Sequence, residues 1–191
     1  MKLLEEKIRN EGRILPGDVL KVDSFLNHQI DVNLISECGK EWHRLFAEEG
    51  VTKILTIEAS GIGIACLTAQ HFGVPVVYAK KTKSHASSAD FISTKVVSYT
   101  HGQAYNVVVN KRFISREDRI LIIDDFLANG SALKALIAIA REAGATVVGA
   151  GIAVEKLYQE GGNEIRRHGI RVESLAKISS MSIEEGIKFV E

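Results

Sequence analysis

The chain has 191 residues, of which 46% are hydrophobic and 25% charged, and its 24 basic side chains balance 24 acidic ones. These values are typical of one globular domain, and they argue against a general nucleic-acid-binding protein, which needs a net basic face to neutralise phosphates. The charged amino terminus and the lack of an apolar run approaching ~20 residues predict neither a secretion signal nor a membrane span.

The two cysteines, Cys38 and Cys66, have neither metal-binding nor redox spacing. Both lie among apolar residues, so we expect two reduced core side chains and a cytoplasmic protein, because free thiols persist in a reducing compartment. The six histidines share no spacing typical of metal ligands either. We therefore assign no residue to a metal held by the protein itself.

The elements are predicted in chain order from hydrophobic spacing. The first 30 residues predict an irregular segment, and a helix with Asp31 as its N-cap then continues to Gly50. Four apolar runs follow, at 51–57, 74–79, 120–123 and 147–154. Helical patterns, each ended by a glycine, occupy 61–72 and 133–143. Because strands buried on both faces alternate with helices, we predict an α/β fold with an open, mainly parallel sheet and flanking helices.

One stretch departs from this alternation. Residues 80–90 are polar, small and basic, and residues 91–99 and 103–109 then alternate between apolar and polar side chains. This pattern predicts a loop followed by a hairpin with its turn at 100–102. We expect the hairpin to lie as an arm over the sheet, and we interpret residues 80–109 as a flexible lid.

The most informative segment is ILIIDDFLANGSA at 120–132, where a buried strand runs into two carboxylates and then a loop of small residues. Backbone N–H groups at the helix start that follows can bind a phosphate, and small residues let the ligand approach them. Asp124 and Asp125 can accept hydrogen bonds from ribose hydroxyls or hold a hydrated divalent cation. Capping of the next turn is the alternative role for this pair. The segment indicates a sugar phosphate as ligand.

Other polar residues follow the carboxyl ends of predicted strands, as the aspartate pair does. They include Glu58, Lys80 and Lys156, and open α/β sheets bind their ligands at that edge. The turn at 58–61 can offer backbone amides to a second anion, or it is a plain strand-to-helix turn. The basic run at 80–83 is either a solvated loop or a set of charges for a polyphosphate leaving group. We expect these residues to meet in one site.

Four segments resemble the type I phosphoribosyltransferases and, more narrowly, the bacterial xanthine phosphoribosyltransferases. They are LKVDSFLNHQID at 20–31, TIEASGI at 56–62, LIIDDFLANG at 121–130 and VEK at 154–156. One departure is the phosphate loop, which carries a single hydroxyl, Ser131, where many type I members have two threonines. The resemblance implies one domain over residues 1–191 with the type I phosphoribosyltransferase fold, in which residues 1–30 form a small hood over the base.

The resemblance implies transfer of the 5-phosphoribosyl group from 5-phosphoribosyl 1-diphosphate to xanthine, with Asp124 and Asp125 as candidate catalytic residues. The residues assigned to 5-phosphoribosyl 1-diphosphate are Glu58, Ala59, Ser60, Gly61, Lys80, Lys81, Ala128, Asn129, Gly130, Ser131 and Ala132. The residues assigned to the base are Leu20, Asn27 and Lys156, with Phe126 as a stacking face or a core aromatic. Mg²⁺ is expected to arrive with the diphosphate substrate, and the family implies a homodimer without nucleic acid or membrane partners.

The residues alone favour an oxopurine and leave the base open. The Lys156 ammonium only donates hydrogen bonds, so it suits a purine carbonyl and disfavours the amine of adenine. Asn27 can face the 2-oxo group of xanthine or the 2-amino group of guanine, so that choice rests on the resemblance. The alternatives are an enzyme for guanine or hypoxanthine, and a regulator that binds 5-phosphoribosyl 1-diphosphate without turnover. No basic recognition helix precedes the first predicted strand, which disfavours the regulator. Tyr158 is assigned to packing.

Overall fold

The computed structural model describes residues 1–82, 89–97 and 104–190. The helices are α1 (Lys2–Glu11), α2 (Val32–Leu45), α3 (Ser60–Phe72), α4 (Ser131–Glu142) and α5 (Gly161–Arg167). The strands are β1 (Arg13–Leu15), β2 (Val19–Lys21), β3 (Lys53–Ile57), β4 (Val76–Thr82), β5 (Phe91–Val97), β6 (Ala104–Asn110), β7 (Arg119–Leu127), β8 (Thr146–Lys156), β9 (Val172–Ser182) and β10 (Gly186–Phe189). The predicted turn at 100–102 and the loop residues at 83–88 lie outside the described ranges. None of the described helices combines the length and the apolar character that a bilayer crossing requires.

Eight strands form one mixed sheet in the order β10-β9-β8-β7-β3-β4-β6-β5. Its centre is parallel: Ile54 of β3 lies opposite Val76 of β4 on one side and Leu121 of β7 on the other. Antiparallel pairs occur only at the two edges of the described sheet. The predicted α/β fold with a mainly parallel sheet is confirmed, and all its parallel strands end at the same edge.

Both faces of the sheet are covered, because alternate residues of the central strands pack into two different apolar clusters. Ile120 and Ile122 of β7 belong to the cluster that includes α4, whereas Leu121 and Ile123 belong to the cluster that includes α2 and α3. Burial on both faces explains why the sequence of this strand is a continuous apolar run instead of an alternating one.

Helix α2 has the predicted N-cap, since Asp31 Oδ1 accepts a hydrogen bond from Leu34 N at 3.1 Å. Cys38 lies on its buried face, and burial raises the pKa of this thiol to about 12. Cys66 is exposed, so the prediction of two core cysteines is wrong for this residue. The reason is its position on α3, whose core side is formed by its neighbours Ile64 and Ala65.

The predicted hairpin forms, but it does not lie over the sheet. Strand β6 pairs antiparallel with β4, with Lys81 opposite Val107, and β5 then pairs with β6. Ile92 and Val109 are buried in the main core. The arm prediction is therefore wrong for the described part of the hairpin, which continues the sheet. The pairing gives β4 a partner that it would lack as an edge strand.

The irregular opening is also a wrong prediction. Residues 2–11 form α1, whose Leu4 and Ile8 are fully buried in one apolar cluster with Ile178 of β9. The short hairpin of β1 and β2 follows, with Arg13 opposite Lys21. Most side chains of α1 are charged, so two apolar residues four positions apart were too weak a signal to predict the helix.

Candidate active site

The two aspartates belong to the end of β7, which extends to Leu127 instead of stopping before them. Asp124 is only 4% exposed, whereas Asp125 is half-buried. Asp124 Oδ1 accepts a hydrogen bond from Asp125 N at 3.0 Å, and Asp125 Oδ1 accepts one from Phe126 N at 2.9 Å. Both carboxyl groups are therefore oriented by the backbone of their own strand.

Burial raises the pKa of Asp124 well above its usual value, and the neighbouring Asp125 carboxylate raises it further. Hydrogen bonding from the Asp125 backbone and the charge of Lys81 oppose this shift without cancelling it. Asp124 consequently keeps its proton over a wider pH range than an exposed aspartate. The strand end thus places a buried carboxyl group with a raised pKa beside a half-buried one.

The turn at 58–61 lies directly against this pair. A Cβ atom added to Gly61 would overlap Thr56 Oγ1 and lie 3.2 Å from Asp124 Oδ1. Thr56 Oγ1 is buried and has no hydrogen-bond partner among the described residues. The peptide bond between Glu58 and Ala59 is cis. Ser60 is the first residue of α3, so the turn presents the start of that helix to the acid pair.

Glu58 is tied to the neighbouring strand. Its Oε1 accepts a hydrogen bond from Lys81 N at 2.6 Å, and its backbone N–H donates to Ala79 O at 3.0 Å. The carboxylate therefore holds the turn against β4. This structural role was not predicted, because it depends on the pairing of β3 with β4 and not on any local pattern.

Of the two predicted lysines, Lys81 lies on the face of β4 that is turned toward Tyr105 and Asp124, whereas Lys80 lies on the opposite face. Lys81 Nζ lies 5.9 Å from the Tyr105 ring, and its charge acts on Asp124. Burial, followed by the charge of Asp124, raises the pKa of Tyr105. Lys80 lines a pocket with Tyr78 on the other side of the strand. Successive residues of a strand point to opposite faces, so only one of two adjacent lysines can reach the site.

The loop at 128–132, the predicted phosphate loop, connects β7 directly to α4. Gly130 has φ +77°, a left-handed conformation that favours glycine. Asn129 Oδ1 accepts a hydrogen bond from Ser131 N at 3.0 Å, so this side chain orients the first residue of α4 as well as carrying the predicted donor group. Ala128 and Ala132 are half-buried on either side. The loop therefore places small residues and a helix N-terminus beside the acid pair.

Gly161 was not predicted from the sequence, and its backbone packs against this loop. Its backbone N–H donates to Ala128 O at 3.2 Å. A Cβ atom added to Gly161 would lie 2.5 Å from Gly130 N and still closer to Ala128 O and Asn129 C. The adjacent glycines at 161 and 162 were the available signal, since paired glycines often mark close backbone contact.

An ion pair between Glu155 at the end of β8 and Arg166 of α5 lies next to Gly161, which contacts the loop at 128–132. Arg166 donates to both carboxylate oxygens of Glu155, at 2.6 and 2.7 Å, and the Ser174 hydroxyl donates to the same group. Burial alone would raise the pKa of Glu155, which is 1% exposed, but the bonds from Arg166 and Ser174 lower it overall. The pair fixes the residue that immediately precedes Lys156.

We expect Arg166→Met to destabilise the protein by about 3–5 kcal/mol, because it leaves the buried Glu155 carboxylate without its cation. The pKa of Glu155 is lowered in the folded state, so the pair stabilises the protein at neutral pH and this contribution is lost as the pH falls through the folded pKa. Thermal melts at several pH values measure this effect. The matched control is Arg167→Met, whose pair with Glu160 is exposed and should contribute at most about 1 kcal/mol. Equal melting temperatures for the two variants would contradict the prediction.

Of the predicted base contacts, Asn27 meets the acid pair and Lys156 meets the β1–β2 hairpin. Asn27 Nδ2 donates to Asp125 Oδ2 at 3.3 Å, which places Asn27 directly at the site. Lys156 is the last residue of β8, is buried, and meets Asp18 of the β1–β2 hairpin at 3.5 Å. Leu20 is buried in the same hairpin. Phe126 is half-buried and packs against the apolar cluster around α2 and α3, so its stacking role stays a prediction.

Tyr158 was assigned to packing, and the structure contradicts this assignment. Its side chain is 41% exposed, and its hydroxyl donates to Asp18 Oδ1 at 2.6 Å. Asp18 itself was not predicted as a site residue. No local pattern connects the two residues, which lie 140 positions apart in the chain.

Within the part of the chain that the structure describes, no group of three or more His, Cys, Asp or Glu side chains could hold a metal ion. At the site, one carboxyl group is buried with a raised pKa and the other is half-buried and partly engaged by backbone and Asn27. This donor set fits a hydrated cation that arrives with a ligand better than a cation held by side chains alone.

A family model identifies the class of protein, and the fold agrees with it. The Phosphoribosyl transferase domain matches residues 21–180. Adenine phosphoribosyl transferase from Trypanosoma brucei superposes with a TM-score of 0.78 at 16% identity, over 96% of this chain and 83% of that one. The adenine phosphoribosyltransferase from Rhodothermus marinus superposes with a TM-score of 0.75 at 21% identity, over 92% and 98%. The chain belongs to the phosphoribosyltransferase family.

Sequence comparison narrows this class. The chain is 56% identical over 186 residues to a xanthine phosphoribosyltransferase from Lachnoclostridium phytofermentans, covering 97% of this chain and 96% of the relative. It is 54% identical to the xanthine phosphoribosyltransferase from Bifidobacterium adolescentis, covering 97% of both chains. The protein of the same name from Bacillus cereus is 48% identical over all 191 residues and 96% of its own length. The resemblance to the bacterial xanthine phosphoribosyltransferases is confirmed.

Proposed function

We propose that the protein transfers the 5-phosphoribosyl group from 5-phosphoribosyl 1-diphosphate to xanthine, giving xanthosine 5′-monophosphate and diphosphate. The observation that carries the proposal is the position of the Asp124–Asp125 pair between two helix starts, those of α3 and α4. Each helix start can bind an anion, and the two carboxyl groups between them can accept hydrogen bonds from hydroxyls. This arrangement matches a ribose that carries a phosphate at one end and a diphosphate at the other. The relatives named above support xanthine as the base.

In this mechanism the protein acts by positioning and by electrostatics. The anomeric carbon gains oxocarbenium character as its bond to diphosphate breaks, and the purine nitrogen then forms the new bond to that carbon. The loop at 128–132 holds the 5′-phosphate, and the backbone amides at 59–61 hold the diphosphate. The Asp125 carboxylate accepts hydrogen bonds from the ribose hydroxyls, and the neighbouring Asp124 helps to orient these hydroxyls. Lys81 approaches from β4 and balances the negative charge of the leaving group.

The base is held by Asn27 and Lys156 in this proposal. The Lys156 ammonium donates to a purine carbonyl and offers no acceptor to the amine of adenine. Asn27 uses one N–H on Asp125, which leaves its carbonyl oxygen to accept from a purine N–H. Leu20 and Phe126 supply apolar surface for the ring faces. The relatives, and not these contacts, favour xanthine over guanine.

We propose that Mg²⁺ binds together with the diphosphate substrate, with Asp124 and Asp125 holding it through water. The ion would neutralise charge on the departing diphosphate. Carboxylate oxygens with retained water are the usual environment of this cation, since it gives up its hydration shell reluctantly. Lys80 lies on the other face of its strand, so in this proposal its side chain is either solvated or contacts a second protomer.

A homodimer is the proposed assembly. Tyr78, Phe91 and Phe113 are exposed large side chains around one pocket of about 390 Å³, which Lys80 and Arg112 also line. Contiguous exposed apolar surface of this kind is typical of an interface. Light scattering coupled to size-exclusion chromatography should give the mass of two chains, and the mass of one chain would contradict the proposal.

The compartment we propose is the cytoplasm. Cys38 and Cys66 are free thiols, one buried in α2 and one exposed on α3. An exposed free thiol suits a reducing environment, where it is not oxidised. Fractionation of cells that express the protein tests this assignment.

We expect Lys156→Ala to raise KM for xanthine about ten-fold or more, because the purine carbonyl loses a charged donor. KM for 5-phosphoribosyl 1-diphosphate should change little, since the phosphate loop and the acid pair are intact. Steady-state kinetics with each substrate varied in turn measure the two constants. Lys40→Ala is a suitable control, because this lysine is 68% exposed and pairs with Glu37 within α2. An unchanged KM for xanthine would contradict the assigned role of Lys156.

The proposed activity is tested by offering xanthine, guanine, hypoxanthine and adenine separately with 5-phosphoribosyl 1-diphosphate and Mg²⁺ and measuring the nucleotide formed. We expect the highest kcat/KM with xanthine. A preference for guanine or hypoxanthine would keep the mechanism and overturn the choice of base. Binding of 5-phosphoribosyl 1-diphosphate without any product would instead indicate a regulatory protein.

A further inference from the structure

Three groups from the end of β8 converge on one residue of the amino-terminal hairpin. Lys156 Nζ donates to the main-chain carbonyl of Asp18 and lies 3.5 Å from Asp18 Oδ2. Tyr158 donates its hydroxyl to Asp18 Oδ1 at 2.6 Å, and Gln159 Nε2 donates to Asp18 Oδ2 at 2.9 Å. Asp18 therefore connects the β1–β2 hairpin to the segment that carries Lys156.

The ion pair with Asp18 is the one that Lys156 makes among residues 1–82, 89–97 and 104–190. The side chain of Lys156 is 9% exposed, and a buried ammonium is costly unless it is paired and hydrogen-bonded. Asp18 supplies both a carbonyl and a carboxylate to it. The ammonium thus donates one hydrogen bond to the Asp18 carbonyl and is paired in charge with the carboxylate, which leaves N–H groups for a ligand.

The backbone of Asp18 is specialised for this contact. Its φ of +63° lies in the left-handed region, where it is the one non-glycine residue in the described chain. Aspartate, asparagine and glycine tolerate this conformation better than other residues. It occurs in the three-residue connection between Leu15 and Val19, which are paired in the hairpin. The turn geometry presents both the carbonyl and the side chain of Asp18 to β8.

Tyr158 and Gln159 hold the carboxylate in place. Burial, followed by the hydrogen bond to Asp18, raises the pKa of Tyr158, so its hydroxyl remains a donor throughout the physiological pH range. The Asp18 carboxylate thus has donors on both oxygens besides Lys156. A carboxylate held in this way can orient a flexible lysine, whose four-carbon stem otherwise loses much rotamer freedom on binding.

We propose that Asp18 is a positioning residue for the base: it directs the Lys156 ammonium toward the purine carbonyl and holds the hairpin that carries Leu20 over the site. This inference rests on the proposed function, because it assumes that Lys156 contacts the base. It assigns the carboxylate of Asp18 to base recognition and not to the chemistry at the ribose. Removing it should weaken the use of the base and leave the handling of 5-phosphoribosyl 1-diphosphate intact.

Asp18→Gly is the decisive variant, since glycine keeps the left-handed backbone and the carbonyl that Lys156 contacts and removes only the carboxylate. We expect KM for xanthine to rise about ten-fold, with KM for 5-phosphoribosyl 1-diphosphate unchanged. Asp18→Asn keeps an acceptor without charge and should give a smaller rise. Tyr158→Phe removes one donor to the carboxylate without touching Lys156, and its effect should have the same direction.

A second readout requires no substrate. Hydrogen–deuterium exchange of the unliganded protein should show faster exchange over residues 13–21 in Asp18→Gly than in the wild type. Unchanged exchange there, a KM for xanthine within two-fold of the wild-type value, or an equal rise in both KM values would each overturn the inference. Failure of the proposed function shows differently, as a wild-type protein that prefers another base. The ratio of the variant KM to the wild-type KM is then measured with the preferred base, and a ratio within two-fold still overturns the inference.

Discussion

Asp124→Asn should abolish most of the turnover and at the same time raise the melting temperature above pH 7. The carboxyl group is buried and lies beside a second carboxylate, so its charged form is unfavourable in the folded protein. Asparagine has nearly the same shape, can keep the bond from Asp125 N through its Oδ1, and carries no charge. The reaction therefore loses a carboxyl group at the ribose, while the folded protein loses an unfavourable buried charge.

The pH dependence of this stability follows from the sign of the pKa shift. Because the folded pKa of Asp124 is raised, the native state binds its proton more tightly than the unfolded chain does. The stabilisation is fully present below the unfolded pKa and is lost as the pH rises through the folded pKa. The advantage of the asparagine variant should therefore be largest in alkali and vanish in acid. For a chain of this length, each kcal/mol corresponds to about 2–4 °C in melting temperature.

For activity, we expect kcat/KM to fall by about 10²–10³-fold in Asp124→Asn, the range typical for removing one preorganised polar group from an active site. Asp125→Asn is the matched variant for activity and should give a similar loss. Calorimetry at several pH values and steady-state kinetics measure both effects. Wild-type turnover in Asp124→Asn, or a lower melting temperature than wild type in alkali, would contradict this account.

Gly161→Ala should raise KM for 5-phosphoribosyl 1-diphosphate by about 100-fold, because its methyl group would displace the phosphate loop, and a shift of about 1 Å in a positioning element can have an effect of that size. The added Cβ would meet three backbone atoms of the loop, of which the most distant, Gly130 N, lies at 2.5 Å. Backbone atoms of a connected loop cannot rotate away as a side chain can. Direct binding measurements with 5-phosphoribosyl 1-diphosphate, together with kinetics, test the prediction.

The control for Gly161→Ala is Asn163→Ala, two residues further along α5 with an exposed side chain. Both substitutions place an alanine in the first turn of the same helix, so they differ mainly in contact with the loop. Wild-type affinity in Gly161→Ala would show that the loop does not bind the phosphate or adjusts without cost. An equal loss of affinity in both variants would show that alanine disturbs α5 itself, and not the contact between Gly161 and the loop.

Local sequence was sufficient wherever the relevant residues are consecutive. The apolar run of β7, the aspartate pair and the small-residue loop are one continuous segment, so strand, acid pair and helix start could be predicted together. The cap at Asp31 was predicted for the same reason, since its partner Leu34 lies three residues away. Their roles in binding stay predictions, although the structure does bring the acid pair, the loop and the turn at 58–61 together.

Three of the wrong predictions, those for the hairpin, Cys66 and Tyr158, share a different cause. The alternating pattern of β5 and β6 indicates a hairpin, but nothing in it specifies that β6 pairs with β4. Cys66 and Tyr158 have ordinary apolar or aromatic side chains, and their exposure depends on which face of an element meets the core. Each of these outcomes is decided by packing between distant segments.

Hydrophobic spacing and one continuous motif were thus enough to predict the mainly parallel α/β sheet, which the structure confirms, and a sugar-phosphate site at its carboxyl edge, because both signals are carried by neighbours in the chain. Folding alone determined that Lys81 and not Lys80 lies on the strand face toward Asp124, that Gly161 contacts the loop at 128–132, and that Asp18 meets Lys156 across 138 positions. These contacts join separate elements, and their distances are set by strand order and side-chain packing, which no local pattern encodes.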